Sequence, residues 1–278
     1  APFTEWWGGQ HWYDAKDGPL AAKVCSDSIF AMNHESGDLQ WKRSEGLIIN
    51  PTITVTPETV YFLECHDSEL RAGESRRLQG ERLWSNLRLV ALDIETGEPR
   101  WERDAKPLPG TSIVSLVAAE GKLILQTSNS GKFAVYVLEK DTGSMVWRGT
   151  YDWETDHHGK HLSRPLVVGG TIYLRPLTID LETGEVTSSA FPEGHQCGTY
   201  TASRDALFLR AGELTMWDRD SASASRFNRL RPDCWISTIP AEGMLLSPEG
   251  GGGCSCGSWM ETSMGLLPRT SSKAEAVR

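Results

Sequence analysis

At 278 residues the chain exceeds the usual single-core domain of about 100–200 residues, so it holds either two domains or one architecture that repeats. Lys and Arg number 28 against 37 Asp and Glu, a formal net charge of −9 that repels phosphate backbones and anionic surfaces and excludes nucleic acid as the expected partner. No window approaches the roughly 18 apolar residues of a membrane-spanning helix, and 11 Trp and 27 Gly among short apolar runs suit a β protein rich in turns.

The chain opens on Ala1-Pro2-Phe3-Thr4, with neither an initiator Met nor an apolar signal core, and is therefore expected to be processed or to belong to a larger polypeptide. The first repeated feature follows: Ala31-Met-Asn-His-Glu-Ser-Gly37-Asp-Leu-Gln-Trp41, a short apolar strand, a polar turn closed by Gly, and a return ending in Trp. Gly takes the positive-φ position, the Asn or Asp and Ser or Thr side chains cap turn amides, and the flanks pair as a hairpin. Thr59–Leu63 then reads as a strand. His66–Asn86, charged through Glu69, Arg71, Glu74, Arg76, Arg77, Glu81 and Arg82, reads as a solvated surface excursion with some helix.

The pattern returns at Ala91–Trp101 around Gly97 and at Val137–Trp147 around Gly143. At Thr178–Val186, around Gly184, the Trp is lost, and at Met216–Ala222 the Gly is lost as well. Lys122–Gln126, Thr171–Leu174, Ala206–Leu209 and Gly243–Ser247 supply further strands, the last without a turn signature after it. Trp41, Trp101 and Trp147 each follow a turn Gly by four residues and are expected at equivalent places, their rings filling the space between neighbouring sheets. The turn glycines lie 60, 46 and 41 residues apart, the first interval lengthened by the charged stretch. A period near 40 carrying four short strands predicts an all-β propeller of roughly six to eight blades. The expected domain is residues 1–268, with Trp6–Tyr13 closing against the C-terminal strand and 269–278 a polar tail.

The turns Asp93–Trp101 and Glu139–Trp147 resemble the pyrroloquinoline-quinone (PQQ)-like repeat, a family that includes quinoprotein dehydrogenases and non-catalytic scaffold propellers. Cys197-Gly-Thr-Tyr-Thr-Ala-Ser203, Arg231-Pro-Asp-Cys-Trp-Ile-Ser237 and Gly253-Cys-Ser-Cys-Gly257 resemble the planctomycete-type members of that family. The resemblance implies a periplasmic, cell-envelope or secreted protein and names no reaction. Family quinoproteins hold their cofactor under a disulfide of adjacent cysteines, over a Trp, beside a metal ion and an Asp base. This chain has no Cys-Cys pair, which argues against PQQ as a cofactor.

Two clusters carry candidate chemistry. His157, His158 and His161, within Asp156–His161, can share a metal ion, act as acid and base, or simply bond loop carbonyls. His195, Cys197, Cys234, Cys254 and Cys256 lie on connections that a propeller brings to one end of its channel. They suit two disulfides first, with Cys25 and Cys65 forming a third, then a zinc or copper site, and last free buried thiols. Gly250–Gly253 lacks the Lys and following helix of a phosphate loop, while Trp235, Glu249, Trp259 and Glu261 are candidates for a carbohydrate platform or for ordinary packing. Two functions follow: a non-catalytic module binding a protein or glycan, or a metal- or His-dependent enzyme acting on a polysaccharide or small alcohol, a divergent quinoprotein dehydrogenase included.

Overall fold

A computed structural model of the chain describes residues 25–72, 82–107, 113–128, 131–152, 164–175, 177–187, 199–230, 238–248 and 262–268. The chain divides into two compact units, 1–187 and 188–278. The described strands of the first unit are β1 (Cys25–Ser26), β2 (Ile29–Met32), β3 (Leu39–Arg43), β4 (Leu47–Ile49), β5 (Thr54–Val55), β6 (Thr59–Cys65), β7 (Leu87–Asp93), β8 (Pro99–Ala105), β9 (Ile113–Ala119), β10 (Lys122–Ser128), β11 (Lys132–Glu139), β12 (Met145–Asp152), β13 (Leu166–Val168), β14 (Thr171–Leu174) and β15 (Leu177–Asp180). Those of the second are β16 (Thr201–Ala202), β17 (Ala206–Ala211), β18 (Glu213–Asp218), β19 (Ser223–Phe227), β20 (Ile239–Ala241), β21 (Met244–Ser247) and β22 (Met264–Leu266).

All the strand pairs are antiparallel, and each sheet uses strands consecutive or nearly consecutive in the chain. In the first unit β2 pairs β3, a larger sheet runs β1-β4-β6-β7-β8, and sheets β12-β11-β10-β9 and β13-β14-β15 follow; the second unit holds β16-β17-β18-β19 and β20-β21-β22. Burial tracks position within a sheet. The inner strand β6 is buried at every residue from Thr59 to Cys65, whereas the edge strand β12 alternates exposed and half-buried residues, as expected of a strand with one face on a neighbour and one in water. Sheets meet through apolar faces: Tyr61, Leu89, Trp101, Leu123 and Leu125 share one cluster, and Ile124, Val135, Ile172 and Leu174 the next.

The turns fold as their residues dictate. Asp93 Oδ1 accepts from the amides of Glu95 at 3.1 Å and Thr96 at 3.0 Å, and Gly97 N closes on Asp93 O at 2.9 Å with φ +74. Asn33 with Gly37 and Asp180 with Gly184 repeat this geometry, and Ala222 keeps a positive φ of 50 although it carries a Cβ. The Arg100 guanidinium at 2.7 Å, with the turn amides, holds the Asp93 carboxyl down at about 2. Within the charged stretch the described parts are two short helices, Ser68–Ala72 and Arg82–Ser85, and they are not wholly a surface feature. Leu70 and Leu83 are buried in the same cluster as Tyr61.

Candidate functional site

Strand direction gives each sheet two unlike ends. The hairpin turns around Gly37, Gly97, Gly143, Gly184 and Ala222 lie at one, together with tight turns such as Glu120–Gly121 and Glu242–Gly243. The long connections leave from the other: 66–86 after β6, and 153–165 after β12. His157, His158 and His161 fall in the second of these and lie outside the described residues, as do His195, Cys197, Cys234, Trp235, Glu249, Cys254, Cys256, Trp259 and Glu261.

The turn end is where the predicted structural residues meet. Each Trp lies on the turn Gly of the following hairpin: an added Cβ on Gly97 would stand 2.6 Å from Trp41 Cγ, on Gly143 2.7 Å from Trp101 Cε3, and on Gly184 2.9 Å from Trp147 Cε3. Each indole also donates to the carbonyl three residues before that Gly: Trp41 to Ile94 at 2.8 Å, Trp101 to Lys140 at 3.2 Å and Trp147 to Leu181 at 2.8 Å. The tryptophans thus fill the space between sheets as expected, and they also tie each hairpin to the next. Glu120 adds a second tie, accepting from Gly169 N at 2.6 Å and Gly170 N at 2.8 Å.

At the other end lies a buried ionic cluster that the sequence reading missed. Glu64, fully buried, accepts from Arg43 Nη2 at 2.8 Å and Gly46 N at 3.0 Å, and its Oε2 lies 3.0 Å from His66 Nε2. Arg43 Nη2 also reaches Glu102 Oε1 at 2.8 Å, and Arg88 Nη1 donates to Glu102 Oε2 at 3.0 Å. Burial opposes the charge on Arg43, and the bonds to Glu64 and Glu102 outweigh it, holding its pKa above the ordinary value. The cluster locks β3 onto the sheet containing β6 and β8. Its signal in the sequence was a carboxylate inside the otherwise uncharged run Thr59–Cys65.

The predicted Cys25–Cys65 bridge is corrected: both are buried free thiols. They belong to one sheet, on strands flanking β4, with Cys25 opposite Ile49 and Cys65 opposite Leu47. Two strand spacings, about 9.5 Å, exceed the Cα separation a disulfide spans. Burial, with the neighbouring Cys65 adding to it, pushes the Cys25 thiol up to about 12, so neither metal binding nor exchange is favoured there.

Among the described residues, the repeat tryptophans Trp41, Trp101 and Trp147 pack on the glycine turns, and Cys25 and Cys65 lie on separate strands. No group of three or more His, Cys, Asp or Glu placed to hold a metal occurs among the described residues. No helix among them is long and apolar enough to cross a membrane.

Antiparallel sheets built from a 40-residue repeat, joined by Trp-on-Gly contacts, define a β-propeller of PQQ-like repeats. The model of the family described as outer membrane protein assembly factor BamB matches residues 29–196 and 85–226, and the chain belongs to that family. No curated protein matches it. Among solved structures it is similar to BamB from Moraxella catarrhalis, at 17% identity and a TM-score of 0.50, over 82% of this chain and 64% of that one. It is also similar to the quinohemoprotein alcohol dehydrogenase ADHIIG from Pseudomonas putida HK5, at 13% identity and a TM-score of 0.48, over 80% and 48%. The chain therefore spans less than two thirds of the length of either.

Proposed function

We propose that the chain is a non-catalytic binding module of the cell envelope or the cell exterior, presenting one end of its propeller to a protein or glycan partner, as part of a larger polypeptide. The match over residues 29–226 to a family described as an assembly factor carries this reading. The architecture supports it: in the first unit Trp-on-Gly ties link the hairpins around Gly37, Gly97, Gly143 and Gly184 in succession at one end of their sheets, while the long connections leave from the other, the arrangement of a scaffold that varies its loops without disturbing its core. The net charge of −9 favours a partner surface with basic character.

The test compares binding with turnover on the full chain. Saturable binding to a peptide or glycan array, unchanged by EDTA, is expected, with no dye-linked oxidation of alcohols in the presence of PQQ and calcium. Steady turnover abolished by changing His157, His158 and His161 to Ala would replace the binding module with an enzyme.

A further inference from the structure

The second unit holds a cavity of about 790 Å³ between its two sheets, within the size range of ligand sites. Strand register explains why it is there. In the first unit one row of cross-strand partners runs Tyr61–Ala91–Trp101, and another runs Ile124–Val137–Trp147; each ends on the Trp that covers the next turn. The corresponding row in the second unit runs Phe208–Met216–Ser225. Ser225 stands in the register position of the tryptophans. Among the described residues no ring takes that place, and Phe208, Met216, Phe227, Leu245 and Leu266 line the cavity.

The rim differs too. Glu120 of the first unit spends its carboxylate on the amides of Gly169 and Gly170. Its counterpart Glu242, in the turn Glu242–Gly243 with a similar pair of positive φ values, makes no such bond among the described residues, and it sits exposed at the cavity, which Asp205, 3.8 Å from Arg204 Nε, also lines. The site thus joins an apolar slot, two methionines, Met216 and Met244, of a kind suited to an aromatic face, and two acidic residues, Asp205 and Glu242.

We propose that this cavity receives an aromatic side chain flanked by lysine or arginine, offered by a partner protein; it rests on the binding reading above. The chain itself shows the occupant's chemistry three times, in slots filled by Trp41, Trp101 and Trp147. In the vacated slot a ring supplied from outside takes the same place, and its basic neighbours meet Asp205 and Glu242.

Methyl-labelled methionine NMR on the full chain reads the site through Met216 and Met244, assigned by Met→Leu variants. The acetylated, amidated peptide Lys-Trp-Lys is expected to shift both methyls upfield saturably, Lys-Ala-Lys to leave them in place, and Glu-Trp-Glu to bind several-fold more weakly at low salt. Ser225→Trp should abolish the response by filling the slot from within. The exposed Glu242→Lys, which leaves the core untouched, should weaken Lys-Trp-Lys binding and favour Glu-Trp-Glu. No shift with Lys-Trp-Lys, equal shifts with Lys-Ala-Lys, or responses unchanged in both variants would overturn the proposal. So would upfield Met216 and Met244 methyls in the free chain that move in Trp235→Ala or Trp259→Ala, since the occupant would then be the chain's own. Array binding without a response at these methyls would overturn the cavity alone and leave the binding module standing.

Discussion

Trp101→Ala is expected to lower the unfolding free energy by about 3–5 kcal/mol, measured by urea denaturation of the full chain. The ring is buried, it packs on Tyr61 with centroids 5.9 Å apart at 43°, and the Arg103 guanidinium lies 5.9 Å above it. Truncation empties the slot over Gly143 and strips the Lys140 carbonyl of its 3.2 Å donor, so cavity and lost hydrogen bond act together. Trp101→Phe should fall between, keeping a ring but no indole N–H. A loss below about 1 kcal/mol in the alanine variant would mean that the ring bears no part of the inter-sheet contact.

The second large effect is a contrast between two glycines. Gly37 and Gly143 both hold positive φ, at 75 and 66, so alanine at either costs about 1–2 kcal/mol for the left-handed backbone. Among the described residues nothing lies within 4 Å of an added Cβ at Gly37, whereas at Gly143 it would meet Trp101 Cε3 at 2.7 Å. Gly143→Ala should therefore exceed Gly37→Ala by about 1–3 kcal/mol of overpacking. In a Trp101→Ala background the methyl has room, so the two changes should be strongly non-additive. Equal costs at the two glycines, with simple additivity, would separate the turn from the Trp.

What the sequence disclosed was local. A Gly at positive φ, an Asx cap and an apolar run each announce themselves within a few residues, and the turns and the strands β6, β10, β14, β17 and β21 stand where those signals put them. The tryptophans were legible as inter-sheet filling. Their seat on the next repeat's Gly was not, because that contact joins residues about 40 positions apart, as in Trp101 with Lys140. Cys25 was misassigned for a related reason: two residues of strand, Cys25–Ser26, pair with β4 of the following sheet, and no local pattern shows which sheet so short a strand joins. Leu70 and Leu83 were hidden among charges that determined the reading of their segment, although each alone buries against the core. The cavity of the second unit shows only in register, since the turn before β19 is shortened and Ser225, not the residue four beyond Ala222, falls on the Trp row. The histidine and cysteine clusters lie outside the described residues, so their chemistry rests on composition and spacing.

That chemistry is also where the binding module is most exposed to contradiction. Elemental mass spectrometry of the full chain, purified without chelator, decides it with one number. A binding propeller braced by its tryptophans and turns should carry no stoichiometric transition metal. One zinc or copper per chain, lost on Cys254→Ser, Cys256→Ser or replacement of His157, His158 and His161, would contradict it and make the chain a metal-dependent enzyme or electron carrier.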